Sequence, residues 1–222
     1  MRKLVISCLG LAAACILTLA QATIADAAPA GQVAWVGSPI AGAVSSPPTS
    51  HSPKYGGQWA VDISTTSAQS ANVYVAVDPT RDPHLSTRIV SVNYACGPIS
   101  GETAANRLAR GGKMVTVGVY YDGTQIGRLN YAHLDSPLAI GNYNTALSRW
   151  GGSLGTVGSY KVQKKPDGTY CWTGRHVHFE SQNLSGTSCY WSGLSKDAAL
   201  PQHSYLGYVG YRSPAKACPS RI

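Results

Sequence analysis

The stretch KMVTVGVYYDGTQIGRLNYAHL, Lys113 to Leu134, decides the fold class. Its two halves are rich in β-branched and aromatic residues, which suit a pleated, half-buried strand. Asp122-Gly123 lies between them, the dipeptide that closes a tight hairpin. Working outward, QWAVDIS (58–64), NVYVAVD (72–78), RIVSVNYA (88–95), RHVHFES (175–181) and YLGYVGY (205–211) repeat the pattern, punctuated by Gly, Pro, Asn and Asp. Helical signals are thin. SGETAANRLARGG (100–112) predicts one short helix with Ser100 as N-cap and Gly111 beyond its end, and NTALSRWGG (144–152) at most a single turn. The expectation is a mainly β, single domain of packed antiparallel sheets with few short helices.

The opening residues bound the compartment. MRKLVISCLGLAAACILTLAQATIADAAPA places two basic residues before an apolar run and reaches Ala25-Asp26-Ala27, a small-x-small pattern. This predicts a secretory signal peptide over 1–27, cleaved near Ala27/Ala28, and an extracellular protein. Residues 28–50, rich in Pro, Ser, Gly and Ala, read as a lead-in or short propeptide. The domain is expected over 51–212, and a tail over 213–222 carries Cys218. Loss of Arg2, Lys3 and Asp26 takes 18 basic and 10 acidic residues to 16 and 9, a net +7. Such a charge favours an anionic cell-wall polymer as partner. Without a compact Lys/Arg run, nucleic acid is not expected, nor is a membrane once the chain is mature, and a monomer is expected.

Four cysteines survive signal removal: Cys96, Cys171, Cys189 and Cys218. An even number in an exported chain predicts two disulfides, and spacing alone allows three pairings. Cys171 sits just before RHVHFES, and Cys96 ends a strand candidate that could run beside it. On that ground Cys96–Cys171 and Cys189–Cys218 are the expected bridges.

The chemistry concentrates in CWTGRHVHFES, Cys171 to Ser181. In an extended strand His176 and His178 share one face, while Val177 and Phe179 turn to the other and pack. His133 ends a strand in NYAHLDS. Asp62 lies between apolar Val61 and Ile63, where a carboxylate is exposed, paired or bound to a metal. His51 lies in the loop before it. Catalytic zinc usually takes three such ligands and leaves one position open for water. His84 and His203 have no motif around them and are expected at the surface.

Together, WAVDI, YAHL and, some forty residues on, TGRHVHFE resemble the lysostaphin and β-lytic zinc metalloendopeptidases, secreted enzymes that cut the peptide part of peptidoglycan. The similarity runs from about residue 51 to 210, and TG-x-H-x-HFE is its specific part. YLGYVG and the cysteine pattern lean toward the β-lytic, staphylolytic branch. The resemblance implies one Zn²⁺ per chain held in a groove by Asp62 and His178, with His133 and His176 as unligated catalytic histidines. It implies peptidoglycan or a Gly-rich peptide as substrate. Glu180 would orient a ligand or else sit as a rim carboxylate in solvent. Tyr205 loosely matches a tyrosine near the oxyanion, packing being the alternative. One position departs from the family pattern: four residues before the aspartate, where a zinc histidine is common, stands Gln58, a poor ligand. Either His51 supplies the third ligand, as in the β-lytic branch, or the site is degenerate and the chain is a cell-wall-binding or regulatory module.

Overall fold

The computed structural model describes residues 34–48, 60–76, 84–182 and 194–209. The expectations for the signal peptide, His51, Gln58, the Cys189–Cys218 bridge and the C-terminal tail lie outside them. The described chain is mainly β and forms a single domain. Its strands are β1 (Ala34–Gly37), β2 (Gly42–Ser46), β3 (Val61–Ser64), β4 (Ser70–Ala76) and β5 (Leu85–Tyr94). After the helix α1 (Ala104–Gly111) come β6 (Lys113–Tyr121), β7 (Thr124–Asp135), β8 (Gly141–Leu147), β9 (Trp150–Val157), β10 (His176–Gln182), β11 (Ala199–Leu200) and β12 (Tyr205–Val209).

Every pairing is antiparallel. The order β2-β3-β10-β7-β6-β5-β8 makes one broad face, with β11 on the β2 edge. The order β9-β4-β1-β12 makes a second, and the end of β7 joins them by pairing with β9 at Leu134 and Asp135. The surface is therefore a sheet curled into a half-barrel around an apolar core. Alternate residues supply that core: Val61 and Ile63 from β3, Val115 and Val117 from β6, Leu129 and Tyr131 from β7, Val177 and Phe179 from β10, all fully covered. Tyr131 and Phe179 pack ring on ring at 4.6 Å. The β6–β7 hairpin turns at Asp122 (φ 47°) and Gly123 (φ 75°), two successive positive-φ residues as a primed turn requires.

Three expectations are corrected. Residues 34–46 are not an irregular lead-in. Val36, Ile40 and Val44 are completely buried, and β1 and β2 pair with β4, β12, β3 and β11, because apolar alternation outweighs the Pro and Ser content. The helix starts later than expected, capped by Thr103, whose Oγ1 accepts from Asn106 N at 3.2 Å. Glu102 is drawn instead to Arg110, in a paired contact at 2.7 and 2.8 Å that holds the Glu102 carboxyl below its usual pKa. Gly111 is the last helical residue, and Gly112 (φ 69°) closes the helix. NTALSRWGG makes no helical turn. Its first half extends β8 along β5 and its second half opens β9.

Candidate metal centre

Register brings the first two groups together. His178 of β10 stands directly opposite Asp62 of β3, with Ala132 of β7 on its other side. Directly opposed side chains on one face are neighbours, and His178 Nδ1 lies 3.1 Å from Asp62 Oδ1. Two positions earlier on the same face, His176 Nε2 lies 3.7 Å from the same oxygen. The face assignment made from HVHFE holds: Val177 and Phe179 are in the core, and the histidines face a groove.

His133 arrives differently. The β6–β7 register slips between Lys113↔Leu134 and Val115↔Tyr131, so β7 bulges at Ala132 and His133. His133 has φ 66°, an uncommon conformation for a residue with a side chain, stabilised where Gly158 N donates to its carbonyl at 3.1 Å. A bulge re-aims a side chain. Here it turns the imidazole into the groove, 4.7 Å ring to ring from His176 and 6.3 Å from His178. Burial pushes the His133 pKa down to about 3, and the His176 and His178 rings push the same way. The ring is neutral at ordinary pH.

The ring nitrogens separate the three histidines. His133 Nδ1 lies 2.9 Å from Gly111 O, and His176 Nδ1 lies 2.6 Å from Gly174 O. A carbonyl only accepts, so both Nδ1 atoms carry hydrogen, and in the neutral rings both Nε2 atoms carry lone pairs. His178 instead turns Nδ1 to the Asp62 carboxylate. At 3.1 Å the two atoms stand at hydrogen-bonding distance, close to the roughly 3.3 Å that would separate two donors on one tetrahedral zinc ion.

The groove measures about 660 Å³ and includes Asp62, His133, His176, His178 and Glu180 in its lining. The irregular segment 159–175 contributes Lys165, Thr169 and Tyr170 to the same lining. The expected Cys96–Cys171 bridge is present and ties that segment to the end of β5. The strand argument behind it does not hold, since β5 pairs with β6 and β8 and not with β10. Ligand atoms of Cys96, Cys171 and His133 lie within 4.8 Å of one another, a buried group that could hold a metal ion. Both sulfurs are spent in the disulfide here, so this group becomes a ligand set only after reduction.

Other expectations resolve by position. Glu180 is not a solvent-facing rim carboxylate. It is 4% exposed, and Asn130 Nδ2 donates to it at 3.3 Å while Thr116 Oγ1 donates to Asn130 at 2.9 Å. This polar row crosses β10, β7 and β6, and reading along one strand could not reveal it. Tyr205 lies outside the groove lining, stacked on Trp35, which stacks in turn on Trp150. His84 and His203 are both exposed, as expected: His84 pairs with Asp122 at 2.6 Å, and His203 lies against Tyr74 and Trp150. Sequence reasoning missed the two carbonyls that hold the histidines. The glycines that carry them, in ARGG and TGRH, were the available signal. No family model, curated protein or solved structure matches the chain.

Proposed function

We propose that this chain is a secreted zinc metalloendopeptidase of the lysostaphin/β-lytic kind, hydrolysing peptide bonds of bacterial peptidoglycan or of Gly-rich peptides. One observation carries the reading: a carboxylate and three imidazoles, up to 116 residues apart in sequence, converge in one groove with their ring nitrogens divided by role. Asp62 and His178 would hold the ion, with His51, outside the described residues, as the third ligand.

When bound, zinc supplies Lewis acidity, lowering the pKa of its water and polarising the scissile carbonyl. The chain's own groups do the rest. His133, fixed through Nδ1, would accept a proton at Nε2. His176, anchored to Gly174, presents Nε2 beside Asp62 and, once protonated, would donate to the developing oxyanion or the leaving amine. The sequence motifs and the basic charge of the mature chain support peptidoglycan as substrate, since an anionic wall would concentrate the enzyme.

The test is direct. Mature protein loaded with zinc should clear a suspension of bacterial walls and generate new amine ends, and a chelator should stop both until zinc is restored. Sedimentation with walls, unaffected by chelation and without new ends, would replace the hydrolase with a wall-binding module.

A further inference from the structure

The end of α1 reaches His133 through Gly111 O. Gly111 O belongs to the last helical turn, whose carbonyls lack partners within the helix. His133 Nδ1–H supplies one of them at 2.9 Å. The backbone around that carbonyl is pinned. Arg110, 1% exposed, bonds Glu102 and Gly97 O. Ala95 N donates to Gly112 O at 3.0 Å, and Lys161 N donates to Ala109 O at 2.9 Å. Gly111 itself rests on the disulfide. A Cβ built there would overlap Cys96 Sγ and lie 3.2 Å from Cys171 Sγ, so no side chain fits while the bridge is formed.

We propose that the Gly111 carbonyl, seated on the Cys96–Cys171 disulfide, is the positioning group that fixes His133 as the Nδ1–H tautomer with its Nε2 lone pair in the groove. The disulfide then does more than close a loop: it fixes which nitrogen of the proton acceptor faces substrate. The catalytic consequence rests on the hydrolase reading above, whereas the tautomer itself does not.

The experiment is long-range ¹H–¹⁵N NMR of the histidine rings in the zinc-loaded, full mature chain, wild type beside Cys96→Ser/Cys171→Ser. The wild type should show His133 protonated at Nδ1. In the double variant His133 should become a mixture of tautomers, and kcat should fall on the order of 10- to 100-fold with KM little changed. Restoring the bridge cannot be mimicked by serine, so Gly111→Ala with the cysteines intact is the second variant, and it should give the same tautomer mixture. Wild-type His133 protonated at Nε2 would overturn the proposal even if neither variant folds. A folded double variant with an unchanged tautomer and kcat would overturn it as well. A wild type with the expected tautomer and no hydrolysis would remove the proposed function and leave the positioning result intact.

Discussion

His178 sits in the regular part of a ladder, between Asp62 on β3 and Ala132 on β7, and its direction follows from alternation and register alone. His133, one residue beyond that same Ala132, sits where the ladder breaks, with φ 66° and a carbonyl from the end of α1 holding its ring. The regular ladder suits a ligand, because opposed strand positions hold two donors at a fixed short spacing with no local strain. The bulge re-aims a side chain that regular alternation would have pointed elsewhere. It brings a third imidazole toward the pair from a neighbouring strand, at a cost in backbone strain that surrounding contacts must offset. On the proposed reading, the β3–β10 register would supply Asp62, His178 and the donor His176, and the bulge in β7 would add only the acceptor His133.

The largest effects are expected on the ladder side. Asp62→Ala or His178→Ala should reduce wall hydrolysis on the order of 10⁴-fold or more, because the reaction loses its ion. Release of new amine ends measures this. A smaller drop would mean that the ladder pair holds no catalytic metal. On the bulge side, His133→Ala should leave the metal in place and lower kcat on the order of 10²- to 10⁴-fold, the usual range for a proton-transfer group. Parallel metal analysis and steady-state kinetics separate the two routes, and loss of metal from His133→Ala would merge them.

Stability offers two milder tests. The His133 ring is held neutral in the fold, with a pKa near 3 against an ordinary 6.5. The unfolded chain therefore binds the extra proton first as pH falls, and stability declines between about 6.5 and about 3. Denaturant melts of metal-free protein should show that slope, reduced in His133→Gln if the variant keeps the bulge. An equal slope in both would place the acid sensitivity elsewhere. The smallest effect is expected at Glu180→Gln, which keeps a buried acceptor for Asn130: about 1 kcal/mol of stability and less than about tenfold in rate. A loss as large as that of His133→Ala would give Glu180 a direct part in the chemistry.

The same contrast explains what the residues revealed in advance. The period-two pattern in HVHFE placed His176 and His178 on one face and Phe179 in the core, since alternation is a property of the strand itself. Asp62 stood out as a carboxylate between Val61 and Ile63, but its position opposite His178 depends on pairing two strands far apart in sequence, which spacing does not encode. The bulge at His133 was illegible for the same reason: it exists only relative to β6. Glu180 read as a possible rim group because Asn130 and Thr116, its covering row, come from other strands. Composition misled at residues 34–46, where Pro and Ser masked the buried Val36, Ile40 and Val44. Among the described residues no helix is long and apolar enough to cross a membrane.

Everything proposed for this groove depends on a divalent ion shared between β3 and β10, so elemental analysis of the purified mature chain tests it most directly. The wild type and His133→Ala should each carry about one equivalent of zinc, and Asp62→Ala and His178→Ala none. A wild type that takes up no zinc, or Asp62→Ala and His178→Ala proteins that retain a full equivalent, would contradict the shared ion.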